Sequence, residues 1–174
     1  ALCRAMDRKA WILTHIPLGV DVYATLHAKN PDADPTLFMQ AAYNERLSAV
    51  FRKYGSTIQF VLNGHTHMDD FRLVFPEGIQ SGALASMIVT PAVTPEFAQN
   101  PGFRTLQVVR DGGRITDLTV FFLSLPAQDQ SPLWVEEYVF SRTFGTAPDT
   151  VGLETMHATM PGDETVRNAY IAHY

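Results

Sequence analysis

Apolar residues gather in short blocks separated by polar stretches containing Gly and Pro, and the spacing within each block assigns the elements. Ala10-Trp11-Ile12-Leu13 has the length and composition of a buried strand, and Thr14-His15-Ile16-Pro17-Leu18-Gly19 follows as a loop enforced by Pro and Gly. Residues 20 to 35 read as a polar connection, with Asp34-Pro35 as a helix start. Leu37, Phe38, Ala41, Leu47, Val50, Phe51 and Tyr54 then recur at helical spacing with charged residues between them, and Gly55 ends one amphipathic helix. Ile58 to Leu62 forms a second strand, ending in Asn63-Gly64-His65-Thr66-His67. A strand, a covering helix and a strand make a crossover unit, whose strands run parallel. Both histidine-bearing loops therefore leave the same edge of the sheet, where open α/β sheets place their ligands.

Farther along, the pattern changes to strands at Phe71 to Phe75, Ser86 to Thr90, Arg104 to Arg110 and Ile115 to Leu125. Asp111-Gly112-Gly113-Arg114 reads as the hairpin turn joining the last two. A mixed sheet is expected. From Pro148 onward the spacing predicts two short helices broken near Pro161-Gly162, and Ala1 to Asp7 reads as the tail of a helix already under way. That start leads us to expect a chain whose upstream portion is missing or was cleaved. No repeat, low-complexity tract or linker divides the sequence, so residues 1–174 are read as part of a single α/β domain.

With 174 residues of which 46% are hydrophobic, the chain can bury a substantial core. The net charge of -5 and the lack of any basic run argue against nucleic-acid binding, which needs clustered Lys and Arg. Cys3 is the single cysteine, so there is neither an internal disulfide nor a thiolate zinc knuckle, and cytosolic and extracytoplasmic locations both stay open. No apolar run approaches the roughly 20 residues that span a bilayer. Serine-hydrolase and nucleotide-loop signatures are missing.

The chemistry that stands out is imidazole. His65 and His67 sit two apart in a turn that Gly64 is expected to sharpen, and His15 joins them from the neighbouring loop, giving three nitrogen ligands suited to Zn²⁺, Fe or Mn²⁺. Two metals about 3.5 to 4 Å apart are the working unit of many phosphatases. Three neutral imidazoles cannot offset two divalent ions, so carboxylates are required. Asp21, Asp69 and Asp70 are nearest in sequence, yet the latter two open the following strand and are expected to hydrogen-bond its turn. The remaining ligands are therefore expected from outside this chain.

These segments resemble a known family. Thr14-His15-Ile16-Pro17-Leu18-Gly19 is similar to Gly-His-Ile-Pro-Pro-Gly, and Asn63 to Phe71 is similar to Gly-His-Thr-His-x-Asp-x-Phe, both of the calcineurin-like metallophosphoesterases in their acid-sphingomyelinase-like branch. Asn100-Pro101-Gly102-Phe103-Arg104 resembles the family's Asn-Pro-Gly-Tyr-Arg, and Trp134 to Gly145 with the terminal helices resembles its C-terminal extension, here residues 134–174. The resemblance implies the C-terminal half of a four-layer α/β/β/α sandwich. It implies that His15 and His65 bind one metal and His67 the other, zinc first among the candidates, and that a metal-bridging hydroxide attacks a small-molecule or lipid phosphodiester. It also favours an exported or periplasmic protein. Leu18 replaces the second Pro. The family's Asp-x-His, Gly-Asp and Gly-Asn-His-Glu/Asp motifs, which supply the bridging Asp, the Asn ligand and the histidine for leaving-group protonation, are absent, so the N-terminal half of the same protein is the expected partner.

Two other readings remain: a non-catalytic domain in which the three histidines close on one structural ion, and an interaction module without metal. His27, His157 and His173 are given no role. Phe121, Phe122, Trp134, Tyr138 and Phe140 are assigned to core rather than to a lipid-facing patch. Thr14 and Asn63 are candidate hydrogen-bond partners of the ligand loops.

Overall fold

The structure, a computed structural model, describes residues 2–30, 32–125 and 131–174. The described elements are α1 (Leu2–Ala5), β1 (Ala10–Leu13), α2 (Val22–Leu26), α3 (Ala41–Tyr54), β2 (Ile58–Asn63), β3 (Asp70–Val74), β4 (Ala85–Val89), β5 (Gly102–Val108), β6 (Ile115–Ser124), β7 (Leu133–Val139), α4 (Phe140–Phe144), α5 (Thr150–Thr159) and α6 (Glu164–His173). They form a mixed α/β fold with two sheets and helices.

The first sheet has the order β1-β2-β4-β3. β1, β2 and β4 run parallel while β3 is antiparallel to β4, so the sheet is mixed as the strand spacing implied. Every residue of β4 is buried, because its two faces are covered by different layers. Ala85 and Met87 join Phe51 of α3, Val61 and Val74 in one apolar cluster. Ile88 and Phe60 turn the other way, into a cluster with Ile115, Leu118 and Val120 of β6, Phe140 of α4, and Leu153 and Met156 of α5. The second sheet, β5-β6-β7, is antiparallel throughout. Its inner face thus closes the second half of the core.

α3 begins at Ala41, six residues after Pro35, rather than at Asp34-Pro35. The intervening backbone is used elsewhere: Leu37 forms an antiparallel bridge with Val20, and Phe38 N–H donates to Gly19 O at 3.1 Å. These bonds tie the segment to the loop after β1. Within the connection, Asp21 caps α2 by accepting from Ala24 N–H at 2.8 Å. β7 extends the second sheet across residues read from sequence only as a terminal extension. Of the aromatic set assigned to core, Tyr138 and Phe140 are buried, Phe121 and Phe122 are half-buried, and Trp134 is 43% exposed. Trp134 packs instead against Phe103, with ring centroids 4.8 Å apart.

Candidate active site

The parallel pairing of β1 with β2 brings their C-terminal ends together, and hydrogen bonds then lock the two histidine loops. Thr14 N–H donates to Leu62 O at 3.0 Å and Gly64 N–H donates to His15 O at 3.0 Å. The buried Asn63 donates through Nδ2 to Thr14 Oγ1 at 2.8 Å and to Ile16 O at 3.4 Å. Thr14 and Asn63 therefore bond to each other rather than to an imidazole. Their pairing fixes one loop relative to the other.

On this frame the rings of His15 and His65 meet edge to face, with centroids 5.2 Å apart and planes at 79°. Phe38 packs on the far side of His65 at 5.5 Å. His65 and His67 both have left-handed backbones, with φ of +81° and +64°. Gly64, which was expected to carry the sharp turn, is not among the residues with positive φ. The strain of the turn thus rests on the two histidines, side chains for which this conformation is uncommon. The ring of His67 packs against Phe97 at 4.9 Å, and its Nδ1 is buried without a hydrogen-bond partner. A buried imidazole nitrogen without a partner is costly unless something binds it.

The neighbouring carboxylates are engaged elsewhere. Asp69 receives hydrogen bonds from Arg104 Nη2 at 2.6 Å and from the Tyr138 hydroxyl at 2.7 Å. Arg104 also donates to Val89 O at 2.7 Å, so one guanidinium joins β5 to the end of β4 and to the segment after His67. Burial, reinforced by the Asp69 carboxylate, pushes the Tyr138 phenol above its usual range. Asp70 accepts from its neighbour Phe71 N–H at 2.7 Å and from the Tyr170 hydroxyl at 2.6 Å. Its Oδ2 meets Arg72 as an ion pair without hydrogen-bond geometry. Burial raises the Asp70 carboxyl above its ordinary value despite these partners. Asp21 is occupied in capping α2. Among the described residues, no group of three or more His, Cys, Asp or Glu side chains is disposed to hold one metal ion.

Sequence reasoning missed the Asp69–Arg104–Tyr138 clamp. The available signal was the alternation of β5, in which Arg104 shares the inward-facing parity of Gly102 and Leu106 and so needs a buried acceptor. The outlying histidines show ordinary packing in part: His27 stacks on Tyr23 at 4.2 Å, and His157 lies 6.0 Å from Phe75. His173 instead pairs with Glu137 through Nδ1 at 2.9 Å. No described helix is long and apolar enough to cross a membrane.

No family model matches the chain. Curated proteins do. It is 30% identical over 147 residues to the cyclic GMP-AMP phosphodiesterase SMPDL3A of Rattus norvegicus, covering 80% of this chain and 31% of that protein. It is 25% identical over 150 residues to acid sphingomyelinase-like phosphodiesterase 3b of Homo sapiens, covering 78% of this chain and 32% of that protein. A third match, 23% identical over 178 residues, is sphingomyelin phosphodiesterase B of Dictyostelium discoideum, covering 97% of this chain and 25% of that protein. The chain thus spans about a third or less of the length of these relatives. Across about 80% of its length, this chain is homologous to the acid-sphingomyelinase-like phosphodiesterases.

Proposed function

We propose that this chain carries the histidine half of a dinuclear metal site that hydrolyses a phosphodiester, within a larger four-layer α/β/β/α domain whose other ligands lie outside these residues. The observation that supports the reading most directly is the placement of the three imidazoles. His15 and His65 lie in ring contact at the end of two parallel strands, and His67 follows with a buried, unpartnered Nδ1. In this reading His15 and His65 serve one cation and His67 the second. Neutral imidazole suits Zn²⁺, with Fe and Mn²⁺ as alternatives. Asp69, Asp70 and Asp21 take no part as ligands, because each is already committed to another partner.

The cations would offset negative charge developing on the phosphoryl group during in-line displacement. In the net reaction, a water oxygen forms a new bond to phosphorus, the ester P–O bond breaks, and the alcohol leaves with a proton. The chain's own contribution is positional. The Asn63–Thr14 bond sets the distance between the loops, the left-handed turn aims His65 and His67, and the Arg104–Asp69 pair holds the exit of that turn against β5.

The relatives' names indicate the substrate class: cyclic GMP-AMP for one, sphingomyelin for another. We propose a phosphodiester substrate for this protein on that basis. Elemental analysis of the intact protein is expected to show two divalent ions per chain, and His65→Ala and His67→Ala are each expected to lower metal content and to cut cleavage of an aryl phosphodiester by about 10²-fold or more. An intact protein that binds no metal and cleaves no diester would remove this reading.

A further inference from the structure

A cleft of about 270 Å³ opens beside His67, its lining including Asn100, Phe122, Glu137, His173 and Tyr174. His67, Met68 and Asp69 at the end of the second histidine loop form part of its lining. Its far wall belongs to β7 and the end of α6, elements of the second sheet and its covering helix.

Contacts within the chain hold that wall in place. His173 Nδ1 donates to Glu137 Oε1 at 2.9 Å, and the His173 ring stacks on Tyr138 with centroids 4.3 Å apart. Tyr138 in turn donates to Asp69, two residues beyond His67. The side chains of His173 and Glu137 retain 23% and 27% exposure, so both can be reached from the cleft. Among the described residues, neither Glu137 Oε2 nor His173 Nε2 has a hydrogen-bond partner. The wall therefore offers a carboxylate oxygen of Glu137 as acceptor, with the His173 ring holding that carboxylate in place, while Phe122 and Tyr174 offer apolar surface to a carbon skeleton.

Resting on the phosphodiesterase reading above, we propose that this cleft is a specificity subsite that binds a hydroxyl- or amine-bearing ester group of the diester while its phosphoryl group lies at His67. Donors on that group would meet the Glu137 carboxylate, and a hydrogen bond to an ionised partner discriminates strongly against an analogue that cannot make it. A plain alkyl or aryl ester would leave that carboxylate oxygen without a partner.

The test compares 4-nitrophenyl phosphodiesters whose second ester is methyl, glyceryl or 2-aminoethyl, using the intact, metal-loaded protein. The glyceryl or the aminoethyl ester is expected to exceed the methyl ester by about tenfold in kcat/KM, and whichever does so identifies the donor. Glu137→Ala is expected to bring that ratio close to one. His173→Phe, which keeps a ring on Tyr138, is expected to reduce it as well. A second readout needs no turnover: the protein stripped of metal is titrated with glyceryl and 2-aminoethyl methylphosphonate while the His173 ring protons are followed by NMR. A saturable shift that Glu137→Ala abolishes upholds the subsite even where no diester is cleaved, in which case only the hydrolytic reading falls. A wild type that cleaves all three esters with equal kcat/KM, or a His173 ring that neither phosphonate moves, overturns the proposal.

Discussion

The turn carrying His65 and His67 places two side chains with a Cβ where glycine would be at ease. A left-handed backbone costs a non-glycine residue about 1 kcal/mol. If φ of +64° at His67 is held by the fold rather than chosen by the imidazole, glycine should relieve it and alanine should not. His67→Gly is therefore expected to be about 1 kcal/mol more stable than His67→Ala in urea denaturation, although both lose the ring. Equal midpoints would show that the turn relaxes once the imidazole is gone. The same comparison at His65, with φ of +81°, should give the same sign. Natural selection for stability alone would favour glycine at both positions, so the histidines point to a demand on the side chain itself.

Among the elements, β3 and α6 are joined by the Tyr170 hydroxyl donating to Asp70 at 2.6 Å, with Arg72 opposite and Tyr174 near. Asp70 is buried, and that burial outweighs Arg72, Tyr170 and the Phe71 N–H in setting its proton affinity. Its folded value lies above the ordinary 3.8, so the folded state holds the proton more tightly than the unfolded chain. The stability that Asp70 contributes is complete below the unfolded value and is lost as pH climbs through the raised one. Asp70→Asn does not titrate, so its stability relative to wild type should improve as pH rises from about 4 towards neutrality. A difference in denaturation midpoint that stays constant over that interval would contradict this. Elements differ in how plainly the sequence announced them. β1, β2 and the loops ending them were legible, because apolar blocks of strand length stop at Pro, Gly and Asn. The start of α3 was not, because Asp34-Pro35 is locally a good opening and only the pairing of Leu37 with Val20 withdraws those residues from the helix. β7 was hidden for a similar reason: Leu133, Trp134 and Glu136 are exposed, and its place as a strand is set by its register with β6.

Over the whole molecule, the two sheets meet at a buried ion pair. Arg104 and Asp69 have side chains 4% and 11% exposed, and 35 residues separate them in sequence. The alternation of β5 signals that Arg104 needs a buried acceptor, but no local pattern names Asp69 as that acceptor, although the imidazoles the pair supports were visible as motifs. Arg104→Met is expected to cost about 3–5 kcal/mol, since it strands a buried carboxylate, and adding Asp69→Leu should restore part of that loss. Strict additivity in the double-mutant cycle would mean that the two sheets do not communicate through this pair. The bond between Asn63 and Thr14 has a different kind of consequence, because those residues lie 49 positions apart. Closing so long a segment carries an entropic cost that the local turns of α3 do not share. Order along the folding route thus favours the helix ahead of the joined strand ends, and the imidazole cluster is among the parts of the molecule with the greatest distance to travel before it exists.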